Sequence, residues 1–161
     1  MSRALATLFG VGYLRPAPGT WGSAVALPLA WGLHVLGGFP ALAAGTLLVF
    51  GLGWWAVAEW TRGAEPDPSE AVIDELAGQW LALWPVSYGA AFAGADVLAL
   101  WPGWVAAFLL FRLFDIWKPG PVGRADRMAS PLGTMLDDLL AGLFAALCVI
   151  ALGALWHLVL L

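Results

Sequence analysis

The sequence predicts an all-α, polytopic integral membrane protein: a helical bundle crossing the bilayer three to five times, with a re-entrant or broken-helix segment over 76–111. Three observations predict it. Hydrophobic residues make up 61% of the 161 residues and the mean hydropathy is +0.84, more apolar surface than a soluble core of this size can hide, so the excess faces lipid. Charged residues are 11%, against about 25% in an ordinary soluble domain. Those charges are bunched, which leaves long uncharged stretches between them.

Residues 21–58 carry no formal charge. That is too long for one membrane helix of about 20 residues and suits two. Gly37-Gly38-Phe39-Pro40 is the break, because paired glycines before a proline mark a tight turn. Helices are therefore expected over about 21–37 and 41–60, with Trp54, Trp55 and Trp60 in an interfacial belt. Asp67-Pro68-Ser69-Glu70 carries N-cap, first-turn proline and capping-box residues, predicting a helix that starts there and runs to about Trp84, ahead of Pro85. Thr134 and Asp137 form a second capping-box pattern before the apolar segment 139–161, long enough to cross. The whole chain, 1–161, reads as one membrane-embedded domain.

Other classes are excluded. A net charge of −4 with no Lys/Arg run offers nothing to nucleic acid. The single Cys148 allows no intramolecular disulfide and no cysteine zinc site, and reads as a small buried hydrophobe. Residues 1–18 are too weakly apolar for a cleaved signal and read as an interfacial lead-in with a short amphipathic helix. His34 and His157 have no acidic neighbour. Neither a nucleophile elbow nor a phosphate-binding Gly-Lys loop occurs. Carboxylates remain, and with them metal-assisted hydrolysis.

Charge is expensive in hydrocarbon and tends to be used. Asp74 and Glu75, flanked by Val72-Ile73 and Leu76-Ala77, are the first candidates; adjacent on a helix, they diverge by about 100°. Gly78, one turn on from Asp74, would let a phosphate approach. Arg112, Asp115 and Lys118 are spaced i, i+3, i+6, a charged stripe suited either to a phosphate and its metal or to interfacial anchoring. Asp137 has a capping role available to it. Asp138 has none, enters the apolar helix, and has Gly142 beside it. All basic residues fall in three regions, which a cytoplasmic N-terminus places inside if 76–111 crosses an even number of times. Asp96 is the only acid expected deep in the membrane, which weakens the rival reading of an ion-conducting transporter or assembly subunit.

Four ordered blocks then resemble a known family. Gly12-Tyr13-Leu14 with Ala17-Pro18-Gly19-Thr20-Trp21-Gly22-Ser23, Asp67-Pro68 with Val72-Ile73-Asp74-Glu75 and Gly78, Phe111-Arg112 with Phe114-Asp115-Ile116 and Lys118-Pro119, and Leu136-Asp137-Asp138 with Ala141-Gly142 are similar to phosphatidylglycerophosphatase A. The resemblance implies a Mg²⁺-dependent lipid phosphatase, multi-pass in the bacterial inner membrane with its site facing the cytoplasm, acting on the phospholipid phosphatidylglycerophosphate. It implies Asp74, Glu75, Asp115, Asp137 and Asp138 as metal ligands, with Asp74, Glu75 and Asp115 catalytic, and Arg112, Lys118, Thr20 and Ser23 as substrate contacts. Another lipid or isoprenoid phosphomonoester is the alternative substrate. The chain departs from the family after Lys118-Pro119, where Gly120-Pro121-Val122-Gly123-Arg124 replaces a Trp-Pro and basic aromatic stretch, and at Ser130-Pro131, where a Gly-Gly pair is usual.

Overall fold

The structure is a computed structural model that describes residues 1–62 and 68–160. Its helices are α1 (Ser2–Ala6), α2 (Pro18–Trp60), α3 (Ile73–Ala82), α4 (Trp84–Ala93), α5 (Trp101–Trp117), α6 (Pro121–Asp126) and α7 (Pro131–Leu160). Short 3₁₀ turns lie at Val11–Tyr13 and Val97–Leu100, and the described residues contain no strand.

Three of these helices are long and apolar enough to cross a membrane. The longest, α2, folds back on itself. Gly37 and Gly38 leave helical geometry, and Gly38 takes φ 64°, a conformation that glycine adopts at little cost. The limbs then run antiparallel, since a Cβ on Gly45 would meet Leu33 Cδ1 at 2.8 Å. They correspond to the two helices expected over 21–37 and 41–60, except that the first begins earlier, with Pro18 in the first turn.

The segment 76–111 resolves into α3, α4 and α5. Pro85 lacks the N–H that would continue α3, so the helix breaks at Leu83 and resumes as α4. End to end, α3 and α4 run the length of the α2 hairpin. At one end Ser23 hydrogen-bonds Glu75; midway Trp80 Nε1 donates to the Ala26 carbonyl and Trp84 Nε1 to Thr46; at the other end Phe39 packs edge-on against Trp84 and Tyr88. The described residues thus form five rods side by side: two limbs of α2, the broken α3–α4 rod, α5 and α7. Within 76–111 the chain is a hairpin of a broken helix and a straight one, closed where Gly103 of α5 meets Val86 of α4.

Large apolar side chains cover the outside. Only 17% of the most apolar window of α2 is buried, and 28% of that in α7, so these helices present most of their surface to lipid. Inside, small residues let the helices approach: Ala26, Ala30, Ala107, Ala141 and Ala145 are fully buried around Phe111, Trp80 and Leu83.

Several expectations are corrected. Asp67 lies outside the described residues. Pro68–Glu70 form a turn, and α3 begins only at Ile73, which puts Asp74 and Glu75 in its first turn. The cause is tertiary: Val72 N–H donates to the Ala6 carbonyl, and a Cβ on Gly12 would meet the Glu70 carbonyl at 1.9 Å. The N-terminal segment holds this stretch out of helix. That segment contains the short helix expected there, five residues long, followed by left-handed Leu8, Phe9 and Gly10. Helix α7 starts at Pro131, ahead of the cap expected at Thr134, and Ser130 Oγ accepts from Gly133 N–H at 3.1 Å. Ser130 is therefore the cap, and Asp137 is released from that role. Cys148 is half-buried, and Asp96 is exposed, capping the turn before α5.

Gly78 and Gly142 also serve another purpose than room for a phosphate. A Cβ on Gly142 would sit 2.2 Å from the Gly78 carbonyl, and one on Gly78 would sit 2.5 Å from the Asp138 carbonyl. They allow α3 and α7 to cross backbone against backbone. Gly142→Ala is expected to cost about 1–3 kcal/mol of stability in thermal unfolding of the detergent-solubilised protein. Gly51→Ala, where nothing lies within 4 Å, is expected to stay within about 0.5 kcal/mol.

Candidate functional site

The α3–α7 crossing brings acids from three helices together. One carboxylate oxygen each from Glu75, Asp115 and Asp138 lies within 4.8 Å of the others, and all three residues are buried. Glu75 comes from the first turn of α3, Asp115 from the last turns of α5, and Asp138 from α7 two turns in.

Two neighbours hold the Glu75 carboxylate. Ser23 Oγ donates to Oε2 at 2.8 Å, and Arg112 Nη1 donates to the same oxygen at 2.5 Å. Arg112 Nη1 also lies 2.8 Å from Asp115 Oδ2, so one guanidinium bridges two of the three acids. Gly19, in the first turn of α2, lies so close that a Cβ there would sit 2.0 Å from Glu75 Oε1. This places the N-terminus of α2, whose first N–H groups have no intrahelical acceptor, beside the acids.

A divalent cation fits this donor set. Three carboxylates face a single guanidinium, and uncompensated buried charge is costly. Oxygens that share a Mg²⁺ or Ca²⁺ ion lie about 3–5 Å apart, depending on whether they are adjacent or opposite, and the three here all fall within 4.8 Å of one another. Asp138 Oδ2 is buried without a hydrogen-bond partner.

The other candidates take different places. Asp74 is buried next to Glu75, and its Oδ1 accepts the Glu75 N–H at 2.9 Å. The stripe expected from Arg112, Asp115 and Lys118 divides, because Lys118 adopts left-handed geometry at the end of α5. Lys118 Nζ instead pairs with Asp126 and, at 2.8 Å, with Asp137 Oδ2. Burial lowers the Lys118 pKa, but the hydrogen bonds and charges of Asp126 and Asp137 outweigh it and hold the pKa above the ordinary lysine value. Lys118 and Asp137 thus form a second charged group beside the triad, while Thr20 sits half-buried in the first turn of α2. Sequence reasoning did not single out Asp126, whose partnership depends on the α5–α6 connection. It also passed over Gln79, whose signal was an amide one helical turn beyond Glu75 in an apolar helix. A groove of about 610 Å³ lined by Val86, Gly103, Val149 and His157 lies toward the opposite end of α7 and contains none of these acids.

A helical bundle with three helices long and apolar enough to cross a membrane, and a buried acidic cluster at one end that could hold a metal ion, defines the class: a helical integral membrane protein. The family model described as Phosphatidylglycerophosphatase A matches residues 4–153, and the chain belongs to that family of phosphoric monoester hydrolases. The chain is 36% identical over 150 residues to a Haemophilus influenzae protein named Phosphatidylglycerophosphatase A (92% of this chain, 86% of the relative). It is 32% identical over 157 residues to an Escherichia coli protein of the same name (96% and 84%). It is also 35% identical over 145 residues to a Bacteroides thetaiotaomicron protein provisionally named a phosphatidylinositol-3-phosphatase (88% and 86%). No solved structure matches.

The Lys118–Asp137 pair offers a test of how this end of the bundle is held. Lys118→Met should cost about 1–3 kcal/mol in thermal unfolding by leaving Asp137 buried and uncompensated. The double variant Lys118→Met with Asp137→Asn is expected to recover at least half of that loss, read as a coupling energy in a double-mutant cycle.

Proposed function

We propose that this protein is a Mg²⁺-dependent phosphatase that converts phosphatidylglycerophosphate to phosphatidylglycerol, and that its 161 residues form one membrane-embedded phosphatase domain. The observation that carries the reading is the convergence of Glu75, Asp115 and Asp138 within 4.8 Å, in a chain of this family. Orientation follows from charge. Arg3, Arg15, Arg62, Lys118, Arg124 and Arg127 flank the helix ends nearest the acids, and the positive-inside bias would turn that end toward the cytoplasm of a bacterial inner membrane.

Glu75, Asp115 and Asp138 would hold the cation, with Asp74 and Asp137 flanking them as further ligands. When bound, Mg²⁺ would neutralise phosphate oxygens and spread the charge of the transition state. The first turn of α2 would receive the phosphate, with Gly19 and Thr20 offering N–H groups, Thr20 its hydroxyl, and Arg112 its guanidinium. Ser23 is already engaged with Glu75, so its part is to orient that carboxylate against the phosphate. Lys118, held by Asp126 and Asp137, contributes positive charge at the rim. Glu75 Oε2 is occupied by Ser23 and Arg112, whereas Oε1 faces Gly19. Oε1 is therefore the atom left to face the cation and, beside it, to accept a proton from an attacking water. The competing route is attack on phosphorus by the Asp115 or Asp74 carboxylate, which would break the P–O bond to the lipid, release its alcohol after protonation, and leave a phospho-aspartate for water to hydrolyse to inorganic phosphate.

The Bacteroides relative's name favours a second reading, in which another lipid phosphomonoester is the substrate. Purified protein in detergent, given Mg²⁺ and a panel of phosphomonoester lipids, should release phosphate fastest from phosphatidylglycerophosphate. Preference for another member of the panel would select the second reading, and no cation-dependent release from any of them would overturn both. Alanine at Glu75, Asp115 or Asp138 should lower kcat by at least about 10²-fold, and chelation should abolish turnover until Mg²⁺ is restored.

A further inference from the structure

The buried side-chain atoms that lack a hydrogen-bond partner among the described residues fall on three residues: Gln79 Nε2 and Oε1, Arg112 Nε, and Asp138 Oδ2. Two of these residues belong to the acidic centre. The third, Gln79, is fully buried and stands one turn after Glu75 on the same face of α3. Helical side chains lean as a rule toward the N-terminus of their helix, which for Gln79 is the direction of Glu75. Neighbouring Gly78 brings that turn against the Asp138 backbone and the Phe111 ring, next to the segments of α7 and α5 that hold Asp138 and Arg112.

An amide left with neither donor nor acceptor satisfied would be a standing cost to the fold, which an apolar side chain of the same length would avoid. Taken together, the unpartnered atoms are two donors (Gln79 Nε2, Arg112 Nε) and two acceptors (Gln79 Oε1, Asp138 Oδ2). One water molecule has two O–H groups and two lone pairs, and buried waters sit where two to four polar groups converge.

We infer that Gln79 is a positioning residue of the acidic centre, anchoring an ordered water shared with Asp138 and Arg112 so that the Asp138 carboxylate stays aimed at the cation. The inference rests on the cation-dependent reading above. Partners that orient a metal-binding side chain typically change metal affinity 10–100-fold when removed.

The test is Gln79→Met in the full-length protein in detergent, titrated with Mg²⁺ alone and followed by the thermal unfolding midpoint and tryptophan fluorescence. The expected result is cation affinity weakened by about tenfold or more, with the cation-free midpoint close to wild type because an apolar side chain of the same length replaces the amide. In lipid turnover, kcat/KM should fall and be partly restored by raising Mg²⁺, a recovery that a packing defect would not produce. Gln79→Asn, which keeps both hydrogen-bonding groups and is smaller, provides the comparison if the methionine variant does not fold: its Mg²⁺ affinity should lie nearer wild type than that of Gln79→Ala. Wild-type affinity in Gln79→Met, at any midpoint, would overturn the inference and leave the phosphatase reading standing. Wild-type protein that shows no response to Mg²⁺ would remove the cation reading itself, and this inference with it.

Discussion

The contact between the backbones of α3 and α7 is the constraint on which the rest depends. Without a side chain at Gly78 or Gly142, the two helices come within carbonyl distance of each other. That closeness sets Glu75, near the start of α3, beside Asp138, near the start of α7. Lipid offers no strong hydrophobic force to press helices together, so membrane helices rely on such small-residue contacts. A helix pair held two or three ångströms further apart would leave the acids too far from each other to share an ion.

Around that crossing, the charges sort into two groups. Arg112 bridges Glu75 and Asp115, while Lys118 ties Asp126 to Asp137. The separation follows from local geometry. A straight helix would keep Arg112, Asp115 and Lys118 along one edge, but the left-handed turn at Lys118 ends α5 and sends its side chain toward α6 and α7. The guanidinium is left among three carboxylates, too little positive charge for the negative charge around it, which is the electrostatic ground for placing a divalent cation there.

The α2 hairpin and the N-terminal segment position this centre from the other side. Gly19 and Gly22 let the first turn of α2 press against α3 at Val72 and Glu75, and Ser23 fixes the carboxylate that results. The N-terminal residues hold Pro68–Val72 out of helix, so α3 begins with its two acids already in its first turn, where the helix dipole favours negative charge.

Much of this was legible in residue order alone. The uncharged run over 21–58 with its glycine–proline break predicted the hairpin, Pro85 predicted the interruption after α3, and the bunched acids marked the candidate centre, because hydropathy, turn chemistry and charge act locally along the chain. Three features were decided only by tertiary structure. Local capping signals at Asp67–Glu70 and Thr134–Asp137 misplaced two helix starts, because contacts with Ala6 and the cap at Ser130 outweighed them. The glycines near the acids read as space for a ligand but are filled by a neighbouring backbone. Which acids meet, and which cation each one faces, depends on how α3, α5 and α7 cross, and interactions between residues dozens of positions apart leave no periodicity for a sequence to reveal.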